Sequence, residues 1–99
     1  MNPTSPDAFL MTEARWCRDA LAVQNASNPS GIAHSFAALC EQMHAQGLST
    51  TAICDHPAAR LYAAKLADLC GIDLHYPLDA EEKAKALILR ASALALPTA

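Results

Sequence analysis

The fold is decided by residues 28–48, NPSGIAHSFAALCEQMHAQGL, which carry the start and stop signals of one amphipathic helix. Asn28 is a good N-cap, and Pro29 suits the first helical position, where the missing N–H has no intrahelical partner anyway. Apolar residues then recur at spacings of four, three and four, the period of one helix face. They are Ile32, Phe36, Leu39 and Met43. Gly47 fits the left-handed position just past the helix end, and Leu48 is placed to pack back on the last turn.

The segments around this helix carry similar signals for where helices begin and end. Helix one is predicted to begin at Pro6 with Ser5 as its N-cap, and the polar run 24–28 is predicted to be a loop. Residues 49–54 combine strand-favouring threonine and isoleucine with a serine cap, so they allow a short strand or a helical turn. We favour a short helix or turn there.

A further long helix is predicted to begin around residues 55–57 and to end at Gly71. Asp55 is interpreted as its N-cap and His56 as a residue of the first turn. Its apolar stripe, bordered by Leu61, consists of Tyr62, Leu66, Leu69 and Cys70. Residues 72–77 alternate apolar and polar side chains, which allows an extended connector or a short edge strand.

The last helix is marked by Asp79 with Glu82 three residues later, a capping-box pattern. After Lys85 it is apolar almost all round, and such a helix is usually buried on more than one side. Either it lies at the centre of the bundle, or a second subunit covers it. The second alternative predicts a protein interface, and possible homodimer contact, at Leu87, Ile88, Leu89, Leu94 and Leu96.

Length and composition place these helices in one domain. The chain has 99 residues, of which 53% are hydrophobic and only 5% aromatic, so the core is expected to be mainly aliphatic. We predict an all-α, single-domain bundle of about four helices over residues 1–99, with one extra short helix or short strand allowed. Residues 1–5 and 97–99 are expected to fray.

The charge pattern excludes some partners. The net charge is −3 and no cluster of lysine and arginine occurs, which disfavours nucleic acid as a partner.

No stretch has the length and apolarity of a membrane span, and no secretory signal is visible, so a cytoplasmic location is expected. Cys17, Cys40, Cys54 and Cys70 are then expected to be buried thiols rather than disulfides.

Four residues form the best candidate for a metal site: Cys40, His44, Cys54 and His56. Thiolate and imidazole suit zinc, but the spacing C-x3-H-x9-C-x-H differs from the usual zinc motifs. We therefore predict no metal and no cofactor, and keep a zinc-stabilised module as an alternative.

No catalytic residue is predicted. Cys54, Asp55 and His56 are consecutive, but catalytic triads are assembled from separate elements, and neighbouring side chains seldom point at one another. No phosphate-binding loop or nucleophile elbow is present. A DNA-binding regulator stays open as an alternative, and it would need four basic residues on one face. These are Arg15, Arg18, Arg60 and Lys65.

Two stretches carry a resemblance. Residues 28–36 read NPSGIAHSF, and residues 56–67 read HPAARLYAAKLA. They resemble a group of small proteins from phages and bacterial mobile elements with the pattern N-x-S-G-x-x-H-S-F, then H-P-x-x-x-L-[FY]-x-x-K-[IL]-A. The resemblance brings no activity, substrate or cofactor. It implies a bacterial or phage cytoplasmic setting, a compact helical unit, and a shared feature formed by His34, Ser35, His56, Pro57 and Lys65.

The sequence thus favours a non-enzymatic protein-binding module, an accessory factor of a phage or mobile element that acts on a host or phage protein. Inhibition of a host defence system is one concrete version. The small size, acidic balance and apolar last helix are compatible with this interpretation.

Overall fold

A computed structural model describes residues 6–72 and 78–95, which fold into helices with no strand among them. The elements are α1 (Pro6–Ala22), a 3-10 turn (Val23–Asn25), α2 (Pro29–Ala45), α3 (Thr50–Asp55), α4 (Pro57–Leu69) and α5 (Leu78–Ala95). The predicted all-α fold is confirmed, and residues 49–54 supply a short helix rather than a strand. Of the predicted connector or edge strand at 72–77, only residue 72 is described, and the ends predicted to fray lie outside the described residues.

The predicted ends of α2 are confirmed at atomic level. The Asn28 side chain accepts hydrogen bonds from the backbone N–H groups of Ser30 and Gly31, at 3.1 and 3.3 Å. At the other end Gly47 has a φ of +93°, and the N–H of Leu48 donates to the carbonyl of Met43 at 3.1 Å. This is a Schellman motif, in which a glycine without Cβ lets the chain turn away from the helix.

The start of α4 differs from the prediction. His56, not Asp55, is the N-cap, and its side chain accepts a hydrogen bond from the backbone N–H of Ala58. Asp55 ends α3 and is exposed. Leu61, predicted at the border of the α4 stripe, is completely buried, whereas Cys70 at the other end is exposed.

The start of α5 also differs from the prediction. The helix begins at Leu78, so Asp79 lies inside the first turn instead of capping it. Its carboxylate lies 3.3 Å from the ammonium of Lys83 and accepts a 3.3 Å hydrogen bond from Arg60 of α4. The interaction with Lys83 is the larger cause, and that with Arg60 the next, of a pKa of the Asp79 carboxyl below its usual range. The contact joins α4 to α5, although exposed ion pairs add little to the free energy of unfolding.

The most extensive helix contact joins α1 to α5, which run antiparallel. The end of α5 packs on the start of α1, because Ala91 clusters with Leu10 and Ala14. Apart from Leu10 and Trp16, the residues buried in α1 and α5 are small, and we call them the alanine seam: Ala14, Cys17 and Ala20 on α1, with Ala80, Ala84 and Ala91 on α5. Small side chains let two helix axes approach closely and still leave no void.

The outward side of α5 is uncovered, so the alternative of a central helix wrapped by the others is wrong. Leu89 is 71% exposed and Leu94 is 48% exposed, whereas Leu87 and Ile88 are half-buried. Leu96 lies outside the described residues. None of the helices described over residues 6–72 and 78–95 is long and apolar enough to cross a bilayer.

The alanine seam predicts that the same substitution has different effects at a buried and at an exposed helix position. Ala84→Leu forces a large side chain into the completely buried side, so we expect the free energy of unfolding to fall by about 1–3 kcal/mol. Ala37→Leu, at an exposed position of α2, serves as the control and should change it little. Urea denaturation measures both, and an unchanged midpoint for Ala84→Leu would contradict the seam.

Candidate functional site

A cleft of about 400 Å³ opens between α1, α2 and α4. Its lining combines apolar and polar side chains: Trp16, Asp19, Ala22, Val23, Ser35, Ala38, Leu39, Gln42 and Tyr62. The volume is at the lower end of the range for small-molecule pockets, and a few polar groups over an apolar floor are typical of such sites. The cleft is therefore a candidate binding site.

Trp16 forms a fixed part of the cleft. It is almost completely buried, and its indole N–H donates to the Gln42 side-chain oxygen at 2.9 Å. Phe9 and His56 each meet the indole edge to face, with ring centroids 6.0 and 5.8 Å away. Because the indole nitrogen can only donate, Gln42 must offer its oxygen there and keep its amide NH₂ for other partners.

Tyr62 forms a second aromatic part of the cleft. Its ring stacks on Phe36 with 5.6 Å between centroids and an interplanar angle of 6°. Burial raises the pKa of the Tyr62 phenol, and the nearby negative charge of Asp19 raises it further. Asp19 itself is exposed and forms no ion pair within the described residues. The cleft thus has aromatic walls and one unneutralised carboxylate at its rim.

His56 lies outside the cleft lining and ties α4 to α1. It is only 7% exposed, its Nε2 lies 2.9 Å from a carboxylate oxygen of Glu13, and its Nδ1 accepts the N–H of Ala58 at 3.2 Å. Since Nδ1 accepts, it carries no proton, and Nε2–H is the group that donates to Glu13. Both ring nitrogens are engaged, so His56 has no free position with which to act as a base on a bound molecule.

The consecutive residues Cys54, Asp55 and His56 do not meet. Cys54 and Asp55 are exposed on α3, while the imidazole of His56 turns inward to Glu13. The four zinc candidate residues Cys40, His44, Cys54 and His56 are not all brought together either: Cys54 lies near Cys40, but the imidazole of His56 bonds Glu13. Over residues 6–72 and 78–95, no three His, Cys, Asp or Glu side chains lie close enough to hold a metal ion.

The five residues of the resemblance occupy different environments. His34 and Ser35 are exposed on α2, and Ser35 lines the cleft. His56 and Pro57 start α4, and Lys65 lies 3.9 Å from Asp68 later on that helix. In the described structure, no hydrogen bond, ion pair or ring contact joins His34 or Ser35 to the three residues of the resemblance on α4 and at its start. Of these five residues, only Ser35 belongs to the candidate site.

The basic residues that DNA binding would require are divided. Arg15 and Arg18 are exposed on α1, but Arg60 donates to Asp79 and Lys65 lies beside Asp68. Two of the four positive charges are therefore offset by carboxylates of the same chain. This arrangement offers less to a phosphate backbone than four free cations on one face would.

The cysteines are free, but only one of them is fully buried as predicted. Cys17 lies within the alanine seam, Cys40 is half-buried, and Cys54 and Cys70 are exposed. Burial, followed by the charge of Glu13, raises the pKa of Cys17 to about 12. Burial and the neighbouring Cys54 also raise the pKa of Cys40. A raised thiol pKa opposes formation of the reactive thiolate.

Sequence reasoning missed the residues that define the cleft and its support. Asp19, Gln42 and Glu13 were given no role, because each is one polar residue on a predicted helix with no local motif around it. The signal available was weak: Trp16 carries an indole N–H that needs an acceptor when it is buried. The acceptor on α2 is 26 residues away in the chain, so only the packed fold identifies it.

Comparisons with protein-family models, curated proteins and solved structures found no match to this chain.

The double role of His56 predicts a large loss of stability on truncation. His56→Ala removes the N-cap acceptor of α4 and leaves Glu13 without its donor. We therefore expect the free energy of unfolding to fall by about 2–4 kcal/mol. His56→Asn restores a good cap but not the bond to Glu13, so its loss should be smaller. Thermal denaturation of both variants separates the two roles, and equal losses would contradict the capping role.

The burial of the thiols predicts an order of chemical reactivity. In the native protein at neutral pH, a disulfide reagent should modify Cys54 and Cys70 first, Cys40 later and Cys17 only on unfolding.

Above pH 9.0, the ordinary thiol pKa, the unfolded chain releases the Cys17 proton and the folded chain keeps it. The free energy of unfolding should therefore fall as the pH rises above that value. Peptide mapping of labelled protein gives the order, and early labelling of Cys17 would contradict it.

Proposed function

We propose that this chain is a non-enzymatic protein-binding module that self-associates through the outward face of α5. The observation that carries the proposal is the 71% exposure of Leu89 on a helix whose inward side is already packed. A large apolar side chain exposed on a regular helix gains free energy when a partner covers it.

The outward face is an ordered stripe rather than a single exposed residue. Glu82, Ala86, Leu89 and Ala93 follow one another at spacings of four, three and four, and all are exposed. Small residues on one helix face also join α1 to α5 through the alanine seam. A second copy of α5 can therefore pack on this stripe by the same ridge-and-groove geometry.

The charges of the stripe favour a second copy of the chain. Glu82 and Arg90 are exposed and form no ion pair within the described residues. In an antiparallel, two-fold pair of α5 helices centred on Ala86, Glu82 of each copy lies beside Arg90 of the other. A two-fold interface makes this contact twice, and the small residue at the centre allows close approach.

The biological setting remains that of the resemblance. An accessory factor of a phage or mobile element, acting on a host or phage protein in the cytoplasm, fits a small module with exposed interaction surfaces. Self-association would present two copies of the cleft to such a partner.

The proposal predicts that Leu89→Asp converts a dimer into a folded monomer. The side chain lies outside the core, so the helix content should be retained, while a charge in place of the large apolar side chain of the stripe opposes association. Native mass spectrometry gives the mass, and far-ultraviolet circular dichroism gives the helix content.

Met11→Asp is the matched control, because Met11 is also a large exposed side chain, 47% exposed, but belongs to α1. This variant should remain dimeric. A monomeric parent protein, or a dimer that survives Leu89→Asp, would contradict the proposed interface.

A further inference from the structure

The cleft between α1, α2 and α4 has a chemical character of its own, separate from the surface of α5. Its floor includes the rings of Trp16 and Tyr62, both nearly buried and both fixed by other aromatic rings. Rigid walls lose little conformational entropy when a ligand binds. The cleft is therefore preorganised for ligand binding.

The electrostatic character of the cleft is negative. Asp19 lines the cleft, is exposed and has no ion-pair partner among the described residues, and its charge acts on the Tyr62 phenol. Within the cleft lining no lysine, arginine or histidine occurs. An anion would meet the Asp19 carboxylate without compensation, whereas a cation would neutralise it.

The polar atoms that remain free match the rest of a small cationic ligand. Ser35 offers a hydroxyl, and Gln42 offers its amide NH₂, since its oxygen is bonded to Trp16. A carboxylate accepts from an ammonium or guanidinium group, and aromatic rings and aliphatic side chains accommodate the stem that carries it. The Gln42 amide can then donate to a carbonyl at the other end of the stem.

We propose that this cleft binds an organic cation, a primary ammonium or guanidinium group on an aliphatic stem, with Asp19 as the counter-ion. The ligand is either a free amine or the basic side chain of a peptide, because both present the same head group. The proposal does not depend on self-association through α5.

The test uses Trp16, the only tryptophan of the chain, as a reporter inside the cleft. Nα-acetyl-lysine methylamide is titrated into the full-length protein while the Trp16 fluorescence and indole N–H resonance are recorded. The norleucine analogue, which lacks only the ammonium group, is the ligand control. We expect saturable changes with the lysine compound, weakening as salt is added, and none with the norleucine compound.

Asp19→Asn keeps the shape of the side chain and removes its charge, so the affinity for the lysine compound should fall about fivefold or more. Asp55→Asn removes an equally exposed carboxylate on α3, outside the cleft, and should leave the affinity unchanged. Because both positions are exposed, both variants are expected to fold.

A third titration, with n-butylamine, distinguishes the two sources of the cation. Equal affinity for n-butylamine supports a free amine, and tighter binding of the lysine compound supports a peptide whose carbonyl is held by Gln42. Equal binding of the norleucine compound, or an unchanged affinity in Asp19→Asn, would overturn the proposal.

Discussion

The packing of α1 against α5 along the alanine seam is the constraint on which the rest of the structure depends. Alanine buries little area by itself, so this contact depends on backbone proximity and on the dispersion energy of well-packed atoms. Because α5 uses its alanines for the seam, the larger Leu89 is left on the outside. The way in which α5 joins the bundle therefore also creates the exposed stripe.

His56 is the second point at which distant parts of the chain are fixed together. One imidazole caps α4 through Nδ1, bonds Glu13 of α1 through Nε2, and packs its edge against Trp16. Trp16 in turn forms part of the cleft. The geometry of the cleft thus depends on a residue that does not line it, and the buried polar atoms of His56 are satisfied only when α1 and α4 are correctly placed.

The sequence predicted what short-range chemistry controls and failed where distant residues decide. The ends of α2 were predicted because Asn28 and Gly47 act on backbone groups a few residues away. Asp55 is intrinsically the better cap than its neighbour, but His56 has a partner 43 residues earlier and takes the position. For α5 the apolar pattern runs almost all round the helix, so it could not show that the alanines, rather than Leu89, face the core.

The polar groups in the cleft lining are suited to holding a ligand. The cleft gathers a carboxylate, a hydroxyl and an amide, which can orient a ligand, but no imidazole or thiol lies in its lining. The two groups best suited to proton transfer or nucleophilic attack are already committed. His56 has both nitrogens bonded, and burial keeps Cys17 protonated through the physiological range. Recognition needs only fixed walls and one well-placed charge, and the packing of Trp16 and Tyr62 beside Asp19 supplies both.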